Sequence, residues 1–285
     1  MIADTLDHFV ILVPDATKSV RMYSALLGRS YDAQHETPAD GTVTTLYRLE
    51  NTSIELIAPK GDGPVAARIR DILGDKQGAL TSLAFGTSNI GDAHYNAMRR
   101  GLKPGDIKRQ STSYMGQARS WSSFRCDDPS LADVKVFIVQ QEIGEVPLRE
   151  MGEASAFRLD HVVVNTGNPD RAMANYGAKL GLRLAMDRTN EKWGARFMFF
   201  RAGHLTLEII RRLQDGLTPD DPDDLWGLTY EAGNLDEART RMLEAGVEVS
   251  EVRTGRKPGT RVMSVKSHDL GIPTLLLDKR ADMEN

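Results

Sequence analysis

The chain repeats itself. Residues 6–57 fall on residues 159–210 at a constant offset of 153, without a gap. Leu6-Asp7-His8 lands on Leu159-Asp160-His161, Tyr23 on Tyr176, Leu27-Gly28 on Leu180-Gly181, Arg48 on Arg201 and Glu55 on Glu208. A fixed period of this kind means duplicated structural units rather than one undivided core. It also means that a His and a Glu, 47 residues apart, stand twice in equivalent places.

Each copy reads as a strand, a helix and further strands. Residues 6–13 (LDHFVILV) are β-branched and apolar, and Pro14-Asp15 ends them, as for a buried strand. Asp15 can cap a helix whose stripe is Ala16, Val20, Tyr23 and Leu27, with Gly28 as its stop. In the second copy Asn168 is the cap, Pro169 fills the first turn, Met173, Tyr176 and Leu180 form the stripe, and Gly181 ends it. Alternation over 43–49 and the segment 53–58 supply further strands. A weaker repeat lies inside each half. Residues 80–101 match 225–246 at an offset of 145, and both read as strand then helix. Strands follow at 134–139, 261–266 and 272–277. An extra helical stretch, 64–73, accounts for the change of offset. The expected fold class is therefore α+β, built from four βαβββ units. Two units form each domain, 1–141 and 158–285, around a polar, Gly-containing linker at 142–157.

Composition narrows the partners. The 285 residues carry a net charge of −4 with Lys and Arg scattered. That gives no electrostatic reason to expect nucleic acid. Cys126 is the one cysteine, so no intrachain disulfide forms and a reducing compartment fits. No segment approaches the ~18 apolar residues of a membrane span. The chain opens without a signal-peptide pattern. The expectation is a cytoplasmic protein whose partner is a small molecule, with neither nucleic acid nor membrane.

Strand alternation then aims the repeated pair. In LDHFVILV, His8 shares a face with Leu6, Val10 and Leu12; in SIELIA, Glu55 shares one with Ser53 and Ile57. A carboxylate between Ile54 and Leu56 cannot cheaply face a helix-packed core, so it faces a cavity, where His8 should meet it. His161 and Glu208 repeat the argument. Imidazole and carboxylate together suit Zn, Fe, Mn, Ni or Co. The plainer reading is a hydrogen-bonded polar couple retained in a cavity. Beside the second pair stand Trp193, Phe197, Phe199, Trp226 and Met263, as core or as a platform for a flat ligand. Arg48 and Arg201 either pair with carboxylates or hold a substrate carboxylate or phosphate.

Four such units, with an LDH-apolar-apolar strand, an alanine- and tyrosine-bearing helix ending in Leu-Gly, and a later Ile/Leu-Glu-Leu/Ile strand, resemble the vicinal oxygen chelate superfamily. That group includes glyoxalase I, methylmalonyl-CoA epimerase, extradiol dioxygenases and bleomycin resistance proteins. The resemblance implies units paired into two open, cup-like mixed-sheet barrels. It places His8, Glu55, His161 and Glu208 on ligand positions for a divalent metal. It further implies a lyase, isomerase or epimerase acting on a small carbonyl compound, with Glu55 or Glu208 as ligand or general base. A metal-free binding protein for an aromatic or apolar molecule is the alternative, and a homodimer is compatible with either. The chain departs from the pattern at Ser82, Lys135 to Phe137, Gly227 and Leu275, where further ligands would stand. With Gly227 and Leu275 in place of a His and a Glu, ring cleavage of the extradiol type is not expected. If the first and third units shared a cup, within the chain or across a dimer, the four repeated residues would make one complete set.

Overall fold

Asp15 and Gly28 bracket the first helix as their chemistry requires. In the computed structural model, which describes residues 2–114 and 117–279, the Asp15 carboxylate accepts from the Lys18 backbone N–H. Gly28 closes the helix in the left-handed region at φ 75°, where only glycine is unstrained. A side chain there would also run into the Arg241 guanidinium, 2.6 Å from an ideal Cβ. That guanidinium donates to the Ala25 and Leu26 carbonyls at the helix C-terminus, a cation at the negative end of the helix dipole.

The first half holds β1 (Thr5–Leu12), α1 (Ala16–Leu27), β2 (Ala33–Thr37), β3 (Thr42–Arg48), β4 (Ser53–Pro59), α2 (Pro64–Leu73), β5 (Ala79–Gly86), α3 (Ile90–Arg99), β6 (Lys108–Tyr114), β7 (Gln117–Cys126) and β8 (Lys135–Ile143). The second holds β9 (Ala156–Asn165), α4 (Pro169–Ala172), β10 (Arg183–Asn190), β11 (Ala195–Ala202), β12 (Leu205–Arg212), β13 (Asp224–Ala232), α5 (Leu235–Glu244), β14 (Arg253–Thr254), β15 (Thr260–Ser264) and β16 (Thr274–Lys279). Four βαβββ units follow from this order, with α2 as an insertion between the first two. The strands form two eight-stranded mixed sheets, β2-β3-β4-β1-β5-β8-β7-β6 and β10-β11-β12-β9-β13-β16-β15-β14. The second order is the first advanced by eight strands, so the sequence repeat is also a repeat of topology. Each sheet joins consecutive units, first to second and third to fourth. Among the described residues no sheet is shared by the first and third units.

Contacts group differently from the sheets. Met1–Phe9, Thr81–Glu145 and His161–Trp226 make one compact unit, and Val10–Leu80, Val146–Asp160 and Gly227–Asn285 the other. In the second of these, the fully buried Tyr23 and Tyr230 phenols share a 2.5 Å hydrogen bond between α1 and β13. Burial pushes both phenols above their ordinary pKa, so both stay neutral and one donates to the other.

Two expectations needed revision. The helix after Asn168 is α-helical only over Pro169–Ala172; Met173–Lys179 is a π-helix. The wider turn sets Asn175, itself buried, to donate to the Ser130 carbonyl and accept from its hydroxyl. A 3.6-residue stripe does not anticipate a polar anchor of this kind. Regular structure also extends into both ends of the expected linker, since β8 runs to Ile143 and β9 starts at Ala156. Met1 and residues 280–285, at the outer ends of the expected domains, lie outside the described residues. No helix among the described residues is long and apolar enough to cross a membrane.

Candidate functional site

Register decides which side chains share a face. β12 runs parallel to β9 with Thr206 opposite His161 and Glu208 opposite Val163. β11 runs antiparallel to β12 with Phe199 opposite Glu208 and Phe197 opposite Ile210. Leu207 and Ile209 are buried on the other face, while Glu208 is half-buried. His161 and Glu208 thus project together, and the imidazole Nε2 stands 3.2 Å from the carboxylate Oε2. Val163, Ala195, Phe197 and Ile210 pack as the apolar floor beside them, with Phe199 against it. Trp193 meets Phe197 edge-on, centroids 5.8 Å apart. Trp226 lies under the Arg212 guanidinium at 5.4 Å. Both tryptophans are exposed, at 46% and 38%, which an ordinary core residue is not. Arg201, opposite Thr206, donates to its hydroxyl at 2.7 Å.

The first copy is built differently. His8 Nδ1 lies 2.7 Å from the Asp7 carboxylate, which also accepts from Gln141 at 3.3 Å. Glu55 stands on β4 opposite Leu46 of β3. Arg48 ends β3, where its N–H donates to Asp32 and its carbonyl accepts from Arg29. Asp32 is buried and held by the Arg29 guanidinium through both oxygens at 2.6 Å. The backbone of Arg48 is therefore fixed by a buried ion pair.

The larger difference is α2. Its Ile69 and Leu73 pack on Val10 and Leu12 of β1, with Ile57 of β4 alongside. Val10 and Leu12 continue the alternation on which His8 stands, and Ile57 that of Glu55. The inserted helix therefore packs on the strand positions that follow His8 and Glu55, at Val10, Leu12 and Ile57. The equivalent positions in the second copy are Val163, Asn165 and Ile210, and Phe197 and Phe199 replace Thr44 and Leu46. Two aromatic rings supply the apolar floor where the second copy has no inserted helix. The Asn165 side-chain oxygen is buried on this floor without a hydrogen-bond donor among the described residues. Comparing the copies would have found it, because a buried Leu becomes an Asn at the same strand position.

One of the missing ligands has a structural reason. A side chain at Gly227 would meet the Pro273 carbonyl oxygen 2.8 Å from its Cβ, so the backbone approach excludes a ligand there. Leu275 stands opposite Thr229. Ser82 is buried and opposite Lys135. Met263, fully buried opposite Leu276, belongs to the core and not beside the pair. His268 sits in a turn at φ 64° with Nδ1 3.0 Å from the Ser267 hydroxyl. Among the described residues, no three or more His, Cys, Asp or Glu side chains gather to hold a metal ion. The pair His161 and Glu208 nevertheless has the right spacing for two adjacent ligands, because donors about 2.0–2.1 Å from one ion stand about 3 Å apart.

Comparison with known proteins places the chain. The glyoxalase-like domain family matches residues 6–150, half of the chain. The chain belongs to this family. Residues 160–263 match the glyoxalase, bleomycin resistance protein and dioxygenase superfamily. Human mitochondrial methylmalonyl-CoA epimerase is 27% identical over 99 residues, 34% of this chain and 54% of that protein. The ethylmalonyl-CoA/methylmalonyl-CoA epimerase of Cereibacter sphaeroides is 37% identical over 62 residues, 21% of this chain and 46% of that protein. The chain thus spans about half the length of the curated relatives it matches. A 4-hydroxymandelate synthase mutant from Streptomyces coelicolor superposes with a TM-score of 0.68 at 14% identity, covering 98% of this chain and 93% of that one. A Staphylococcus aureus protein of similar architecture gives 0.63 at 10% identity, covering 96% and 98%. Both show the fold, two tandem pairs of βαβββ units.

Proposed function

We propose that the second half carries a glyoxalase-type site that moves a proton at the carbon beside a carbonyl, in an isomerase, epimerase or lyase reaction on a small carbonyl compound. The observation that carries this reading is the His161–Glu208 pair, 3.2 Å apart on a face with an apolar floor. His161 and Glu208 would hold a divalent ion of the Zn, Ni, Co, Mn or Fe type. When bound, such an ion would supply a Lewis acid that polarises the substrate carbonyl. Among the described residues the chain would supply these two ligands, and a substrate oxygen would complete the set. Glu208 would serve as ligand or as the general base that takes the proton from the carbon beside the carbonyl. Phe197 and Phe199 keep water from the apolar side of the site. The partial likeness to two acyl-CoA epimerases supports including thioesters among the substrates.

The test is exchange of the substrate α-proton in deuterated water, followed by NMR, over 2-oxo acids, 2-hydroxy carbonyl compounds and acyl-CoA thioesters. Exchange should occur on at least one class, vanish with chelator and return with added divalent ion. Absence of exchange on all three with metal supplied would remove the reading.

A second reading rests on the exposed Trp193 and Trp226. They suit a metal-free protein that sequesters an aromatic or apolar molecule. Quenching of tryptophan fluorescence in chelator, without proton exchange, would favour it.

A further inference from the structure

The register of β10 adds a feature that alternation alone did not reveal. Arg183 stands directly opposite Arg201. Arg201 stands opposite Thr206, and Thr206 opposite His161. One row therefore crosses four strands: Arg183, Arg201, Thr206, His161. The adjacent row is Met186, Phe199, Glu208 and Val163, and the next is Arg188, Phe197, Ile210 and Asn165. All project from the face that carries the His–Glu pair.

Two guanidinium side chains directly opposed on one face repel each other, with Cβ atoms about 4.5–5.5 Å apart. Salt bridges elsewhere on this strand pair show the ordinary arrangement: Arg196 on the opposite face pairs with Asp187 through both nitrogens. Arg183 and Arg201 face each other, and Arg201 donates to a neutral hydroxyl. Two forked donors side by side match the oxygens of a carboxylate or phosphate. The hydrogen bond to Thr206 carries the Arg201 guanidinium over β12, about one strand spacing of 4.8 Å from the His161 strand.

We infer that Arg183 and Arg201 form an anion-binding subsite, and that the natural ligand is a carbonyl compound with an acidic group a few bonds from the carbonyl. The acidic group sits in the arginine row, the carbonyl at His161 and Glu208, and any apolar body on Phe197 and Phe199. The carbonyl part of this assignment rests on the proton-transfer reading; the anion subsite stands on the register alone.

Binding without turnover separates the two. In chelator, tryptophan fluorescence is titrated with 3-phenylpropionate, phenyl phosphate and the neutral 3-phenylpropionamide. The anions should bind roughly tenfold or more tighter than the amide, as expected of charge-assisted hydrogen bonds. Arg183→Gln and Arg201→Gln should each remove most of that preference, and Arg188→Gln, two rows away, should keep it. The stronger of the two anions identifies carboxylate or phosphate as the group. Arg183→Gln should unfold at no lower temperature than the parent when anions are absent, because one repulsion is gone. Equal binding of amide and anions, an anion preference that survives both substitutions, or no binding of any probe would overturn the subsite. None of these outcomes bears on whether Glu208 transfers a proton.

Discussion

Glu208→Gln should lower α-proton exchange by roughly 10²–10⁴-fold, the usual contribution of a positioned general base, and Glu55→Gln should leave it near the parent rate. The amide keeps the shape of the side chain and its place opposite Phe199 but accepts no proton at neutral pH. Substrate affinity should change far less than turnover, because the floor of Phe197, Ile210 and Val163 is untouched. The contrast with Glu55 is expected from α2, whose Ile69 and Leu73 pack beside Ile57, the next residue of β4 on Glu55's side. Rates measured by NMR on both variants, with circular dichroism to confirm folding, check the pair of outcomes together. Equal losses in both would show that the duplicated halves work as equals.

Leu73→Ala should destabilise the protein by about 2–5 kcal/mol, the range for emptying a buried leucine site. Leu73 is 2% exposed and packs with Ile69 against Val10 and Leu12. The loss exceeds the transfer cost of the removed methyl groups, because the helix cannot collapse onto two strands fixed by sheet hydrogen bonds. Urea unfolding at unchanged m-value reads the effect. Proton exchange measured well below the midpoint should be unaffected, since Leu73 belongs to the cover of the first copy. A stability change below about 1 kcal/mol would mean that α2 is a surface appendage and not a cover.

The repeat made the fold legible. Leu-Asp-His twice, at a constant offset, gave two equivalent halves, and the second sheet repeats the first strand for strand. Asp15 and Gly28 marked a helix correctly because capping is local chemistry. The π-helix at Met173–Lys179 was not legible, because Asn175 is held by Ser130, forty-five residues away. Alternation aimed Glu208 correctly, since a carboxylate between Leu207 and Ile209 has one affordable direction. It could not tell that the extra stretch 64–73 would fold over the first copy, since that depends on which sheet face an amphipathic helix finds. Edge strand β10 was invisible for a related reason. Its residues are nearly all exposed, so burial imposes no pattern, and the Arg183–Arg201 opposition appears only once register is known. The empty ligand position at Gly227 was legible as a gap, but its cause, the Pro273 carbonyl, was not.

The most direct measurement is a titration of chelator-stripped protein with Mn²⁺, followed by electron paramagnetic resonance, for the parent, His161→Ala and His8→Ala. One bound ion per chain is expected in the parent and in His8→Ala, and none in His161→Ala. Two ions per chain, or binding that survives His161→Ala and disappears in His8→Ala, would contradict a site confined to the second half.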